Sequence, residues 1–94
     1  ARDQYHIERE DKAGIGYVDF IFYPEKNLNA DCIILELKVN VSPQEAIRQI
    51  KHRKYDLRFR TKLGEKPKYT GRILAVGISY DKRRKKHECA IEVL

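Results

Sequence analysis

Glu36 and Lys38 interrupt an otherwise apolar run, Cys32-Ile33-Ile34-Leu35-Glu36-Leu37-Lys38-Val39. In an extended strand, side chains at i and i+2 share a face, so this spacing sets a carboxylate beside an ammonium. Charges inside such a run are costly unless they are paired or bind a metal. Taken alone, the pair reads first as an ion pair on a solvent-facing edge strand, where it contributes little. Asp19 changes that balance. It is a lone acid within Tyr17-Val18-Asp19-Phe20-Ile21-Phe22, just after a Gly14-x-Gly16 turn. If the two strands are hairpin neighbours, Asp19 and Glu36 converge on one cation. Two carboxylates, the Leu37 carbonyl and waters form the oxygen-rich set that Mg²⁺ prefers, with Mn²⁺ as a substitute. Lys38 would hold an attacking water or hydroxide and offset charge growing on phosphoryl oxygens. Each residue type suits a step of phosphodiester hydrolysis.

The elements that must carry these side chains are short and well marked. Tyr5 to Glu10 reads as a strand leading into a turn-rich stretch. Tyr17 to Tyr23 is β-prone and Pro24 stops it, while Glu25 to Asp31 is a loop with Asn27 and Asn29. On Cys32 to Val39, Ile33, Leu35, Leu37 and Val39 take one face; Ile34, Glu36 and Lys38 take the other. A helix follows. Ser42 is a good N-cap, Pro43 suits the first position and Glu45 completes a capping box. Ala46, Ile50 and Leu57 line one stripe with Ile47 at its edge, and Arg48, Lys51, His52 and Arg58 lie away from it. The helix should fray before Gly64. Ile73 to Tyr80 is almost wholly apolar and reads as a strand buried on both faces. Asp81 to Lys86 is a charged hairpin loop, and His87 to Leu94 returns with alternating Cys89, Ile91 and Val93. The expected class is α/β: a small mixed β-sheet with one crossing helix and an antiparallel C-terminal hairpin.

Ninety-four residues hold one domain, 1–94, and the absence of Met together with the start at Ala1 suggests a piece of a longer protein. Apolar residues are 41% and charged residues 36%, which fits a small globular unit. No stretch approaches the roughly 20 apolar residues of a membrane span. Ala1-Arg2-Asp3-Gln4 shows no secretory pattern, so a cytoplasmic location is expected. Cys32 and Cys89 allow one disulfide, but two buried free thiols are the expectation. His6, His52 and His87 stand apart, which argues against structural zinc. The formal charge is +6, and it is uneven: from Arg48 to Arg72 the basic residues face only Asp56 and Glu65. Residues 82–86 read Lys82-Arg83-Arg84-Lys85-Lys86. That asymmetry suits a polyanionic partner, and a solvated basic surface is the plainer account. Lys82, Arg83, Arg84 and Lys85 are candidates to grip a nucleic-acid backbone, as is Lys51 on the helix; keeping a hairpin edge soluble is their alternative role.

Several phrases together resemble a known family. Gly14-Ile15-Gly16-Tyr17-Val18-Asp19, Ile34-Leu35-Glu36-Leu37-Lys38, Ala46 through Gln49-Ile50 to Tyr55, and Val76-Gly77-Ile78-Ser79-Tyr80-Asp81 occur in this order over roughly residues 7 to 93. They are similar to the PD-(D/E)XK nucleases, in the branch found C-terminal to AAA-ATPase-like modules in bacterial proteins. The resemblance implies a restriction-endonuclease-like core whose catalytic residues are Asp19, Glu36 and Lys38. It also implies that the helix presents a Gln and often a Tyr to the site, here Gln49 and Tyr55. Gln49 lies at the margin of the apolar stripe, whereas Tyr55 points away from it on an ideal wheel. The family's N-terminal helix, often bearing another acid, has no counterpart here. Glu8 and Glu10 could assist the metal, but ordinary surface charge explains them better. One sheet face is then under-covered, and a homodimer, an N-terminal segment or an ATPase-like neighbour could cover it.

The resulting expectation is metal-dependent hydrolysis of DNA. Two other classes remain open: a catalytically silent nucleic-acid-binding module on the same fold, and an interaction or oligomerisation module of a larger ATPase-like protein.

Overall fold

Ser42 starts the one α-helix of the described residues, as its sequence implies. Its backbone is extended (φ −71°, ψ 153°), and its Oγ accepts from the Glu45 N–H at 3.2 Å. Pro43 fills the first position of α1 (Pro43–Arg53), where its missing N–H is no loss. The computed structural model describes residues 4–11, 18–61 and 63–94; Tyr17 and the expected Gly14-x-Gly16 turn lie outside them. Around α1 stand β1 (Tyr5–Asp11), β2 (Val18–Pro24), β3 (Cys32–Val39), β4 (Ile73–Asp81) and β5 (Lys86–Val93). They form one sheet in the order β1-β2-β3-β4-β5. Only β3 and β4 pair in parallel, joined through α1, and the other neighbours are antiparallel. This is the α/β arrangement expected: a mixed sheet with one crossing helix.

The helix lies over β3, β4 and β5 and buries Pro43, Ala46, Ile47 and Ile50. Gly77 lets it approach, because a Cβ there would run into the Pro43 carbonyl and come within 2.9 Å of the Ala46 Cβ. Ile21, Cys32, Ile34, Ile73 and Ala75 complete the core beneath it. Leu57 does not belong to this stripe. It is 57% exposed, because α1 ends at Arg53 and Lys54 adopts a left-handed conformation (φ 57°, ψ 37°). A 3₁₀ turn, Tyr55–Arg58, follows at a different angular period. The break rotates Tyr55 and Phe59 inward instead. Phe59 packs on Tyr23 and Tyr69, with ring centroids 5.0 and 5.6 Å away.

The opposite sheet face is apolar and half-buried. Phe20, Phe22, Ile33, Leu35, Leu37, Val39, Leu74, Val76 and Ile78 alternate with the buried residues beneath α1. Strand β4 is therefore buried on one face, contrary to the expectation of two, since among the described residues the helix lies on one side only. Ile91 and Val93 on β5 are more than half exposed. Both cysteines are free thiols, but only Cys32 is buried; Cys89 sits on exposed β5. Among the described residues no helix is long and apolar enough to cross a membrane.

Candidate functional site

Antiparallel pairing of β2 with β3 makes Asp19 and Glu36 direct Cα partners. Directly opposed residues share a face, so both carboxylates point under α1, and both are fully buried. Lys38, two residues along β3, is also buried, at 4% exposure. Its Nζ lies 3.8 Å from Glu36 Oε1 and donates to Gln49 Oε1 at 2.8 Å. The Leu37 side chain turns to the other face, so only its backbone can serve the site. The structure thus gathers Asp19, Glu36, Lys38 and Gln49 on one side of the sheet.

Tyr55 joins them, against the helical-wheel expectation. The left-handed Lys54 swings Tyr55 inward, and its hydroxyl donates to Asp19 Oδ2 at 3.0 Å. The sequence reading missed Arg53. Its Nη1 donates to Glu36 Oε1 at 2.8 Å and to Asp19 Oδ2 at 3.1 Å, while Nη2 donates to Gln49 Oε1 at 3.1 Å. A signal was present. Two buried acids facing one lysine leave a negative charge over, and Arg53 stands one helical turn after Gln49, on the same face. Among the described residues the charges of the cluster then balance: two carboxylates against Lys38 and Arg53. Removing one partner of such a group typically costs about 3–5 kcal/mol.

The acids of β1 have a different task. Glu10 pairs with Asp19 in register and Glu8 with Ile21, so both rise on the helix side of the sheet. Arg58 pairs with Glu8 at 3.2 Å and also with Glu10, and the Tyr23 hydroxyl donates to Glu8. These contacts fasten the 3₁₀ turn to the edge strand. Among the described residues no three His, Cys, Asp or Glu side chains form a metal-holding group. The donor set of Asp19 and Glu36 nevertheless fits a hard divalent cation. Both are buried oxygen ligands, and the pair already holds a positive group between them, the Arg53 guanidinium.

The basic candidates fall into two groups. Lys51 pairs with Glu92 at 2.6 Å, and Arg84 pairs with Asp81 and Glu88. Lys82, Arg83 and Lys85 are exposed in the β4–β5 turn. The Asp81 carboxylate braces that turn by accepting the Arg83 and Arg84 N–H groups, and those bonds hold its pKa below the usual carboxylate range. Gly77 is level with Glu36, so the turn lies at the end of the sheet toward which Glu36 and Lys38 run.

Neither the curated proteins nor the solved structures contain a significant match to the chain. The family model described as the PD-(D/E)XK nuclease superfamily, however, matches residues 1–89. The match covers both acid-bearing strands, the ExK lysine and the following helix, and the chain belongs to the PD-(D/E)XK nuclease superfamily.

Proposed function

We propose that this protein hydrolyses phosphodiester bonds in DNA with the help of Mg²⁺, Mn²⁺ serving as a substitute. The carrying observation is the register pair Asp19 and Glu36, two fully buried carboxylates on one face with Lys38 beside them. Asp19, Glu36 and the Leu37 carbonyl are the proposed ligands. A bound divalent cation supplies Lewis-acid stabilisation of the phosphoryl oxygens and a water ionisable near neutral pH. Lys38 orients that water and offsets negative charge as it grows on the phosphate. Gln49 fixes the Lys38 ammonium, and the Tyr55 hydroxyl fixes the Asp19 carboxylate. The exposed cations of the β4–β5 turn, with Lys51, hold the nucleic-acid backbone. A cytoplasmic setting and association with an ATPase-like module complete the reading. A second copy or such a neighbour would cover the half-buried apolar face of the sheet.

The test is DNA cleavage with Mg²⁺ or Mn²⁺ by the wild type, Asp19→Ala and Lys38→Ala. Cleavage by the wild type alone supports the assignment, and equal behaviour of all three removes it. One observation favours a second reading, a nucleic-acid-binding module without catalysis: Arg53 already bridges the acids. That reading predicts salt-sensitive DNA binding and no cleavage with either ion.

A further inference from the structure

Arg53 differs from Lys38, the other described cation beside the two acids. Lys38 is buried, at 4% exposure, and donates to Gln49. The Arg53 side chain is 28% exposed and belongs to the last residue of α1, where the left-handed Lys54 ends the helix. A single nitrogen, Nη1, contacts one oxygen of Asp19 and one of Glu36. Those two acids are the ones a divalent cation would need.

Charge makes the two occupants mutually exclusive. Among the described residues, Asp19 and Glu36 against Lys38 and Arg53 sum to zero. A divalent cation added to that set leaves two uncompensated positive charges in a largely buried space. With Arg53 withdrawn, the surplus is a single charge, which one phosphodiester group cancels. From this we infer that Arg53 is a displaceable counter-cation: it holds the carboxylate pair together and must leave before a divalent ion can bind. Gln49 keeps its bond to Lys38 through the exchange, so the site does not lose its lysine when it loses its arginine. The inference rests on the metal-dependent reading above and adds to it a residue that sets metal affinity.

The experiment is calorimetric titration of Mn²⁺ alone into the full chain as wild type, Arg53→Gln and Arg53→Lys, with no nucleic acid present. Removing a competing charge from a buried site should lower the Mn²⁺ dissociation constant by roughly tenfold or more in Arg53→Gln. Arg53→Lys, which keeps the charge but loses the planar fork, should fall between the two. Arg53→Gln is judged only if its far-UV circular dichroism matches the wild type; otherwise Arg53→Lys is read by the same rule. Tighter binding in the variant supports the exchange. Equal or weaker binding, with Mn²⁺ still bound by the wild type, overturns it and leaves the nuclease reading intact. No Mn²⁺ binding in any form overturns both.

Discussion

Tyr55 and Asp19 are 36 residues apart, yet the Tyr55 hydroxyl donates to Asp19 Oδ2 at 3.0 Å in a buried setting. The bond ties the segment after α1 to the strand carrying the first acid. Tyr55→Phe keeps the ring and loses the hydrogen bond to Asp19, so stability should fall by about 1–2 kcal/mol. Partners that orient a metal-binding carboxylate typically matter more for function, and metal affinity or cleavage should drop roughly 10- to 100-fold. Urea denaturation and Mn²⁺ titration of the same variant separate the two effects. A variant with wild-type metal affinity would make Tyr55 a packing residue only.

The buried lysine gives a sharper expectation. Lys38→Met retains much of the side-chain volume but leaves the buried Asp19 and Glu36, among the described residues, with the partly exposed Arg53 as their cation. Unfolding free energy should fall by about 3 kcal/mol at neutral pH. Denaturant melts of Lys38→Met and Lys38→Arg at pH 7 test this, and an equal loss in the variant that keeps the charge would place its origin in packing.

Much of this site was legible before any coordinates, for reasons that also explain what was not. The alternation in Cys32–Val39 assigns Glu36 and Lys38 to one face because the strand period is two, and the Ser42-Pro43 start of α1 is a local signal. The end of α1 gave no such signal. Lys54 takes the left-handed conformation that a Gly or Asn would have advertised, so a wheel carried through it put Leu57 inside and Tyr55 outside. Arg53 was hidden by composition, one basic residue among many, until two buried acids required a second cation. The half-buried outer face matches the expectation of an under-covered sheet face. The all-apolar sequence of β4 nevertheless read as burial on both sides, because hydropathy records what a strand could bury and not what covers it.

Gly77 tests how closely the helix must sit. A methyl group there meets the Pro43 carbonyl, a backbone atom at the start of α1 that cannot move alone. Gly77→Ala should push α1 off the sheet and cost about 1–3 kcal/mol. Gln49 and Arg53 would move with the helix, so Mn²⁺ affinity should change as well. Thermal melting and titration of Gly77→Ala check both, and an unaltered melting temperature would contradict the tight approach.

The two thiols should behave differently. Burial, with the nearby Asp31 charge, pushes the Cys32 thiol up from 9.0 to about 11. At pH 8 only exposed Cys89 should react quickly with a maleimide or Ellman's reagent, Cys32 following on unfolding. The sign of the linkage follows from the raised value. Between about pH 9 and 11 the unfolded chain has lost a proton that the folded chain keeps, so Cys32 favours folding below 9 and loses that contribution as pH rises. Cys32→Ala should remove this part of the alkaline loss. Two equally fast thiols at pH 8 would contradict the burial.

The basic turn can be separated from the rest of the positive surface by salt dependence. Lys51 and Arg84 already have acidic partners in Glu92 and in Asp81 and Glu88, so each must break an ion pair before meeting a phosphate. Lys82, Arg83 and Lys85 are exposed on a turn braced by the Asp81 carboxylate, which holds their backbone in place with little cost to reach a ligand. If these three contact phosphates, replacing all of them with Ala should lower the slope of log K against log salt by up to about 3, near 0.9 per lost contact on duplex DNA. Lys51→Ala should change the slope by less than a single full contact. Fluorescence anisotropy with a DNA duplex between 50 and 200 mM salt, in Ca²⁺ to hold back cleavage, measures both slopes. An unchanged slope in the triple variant would move the nucleic-acid interface away from the β4–β5 turn.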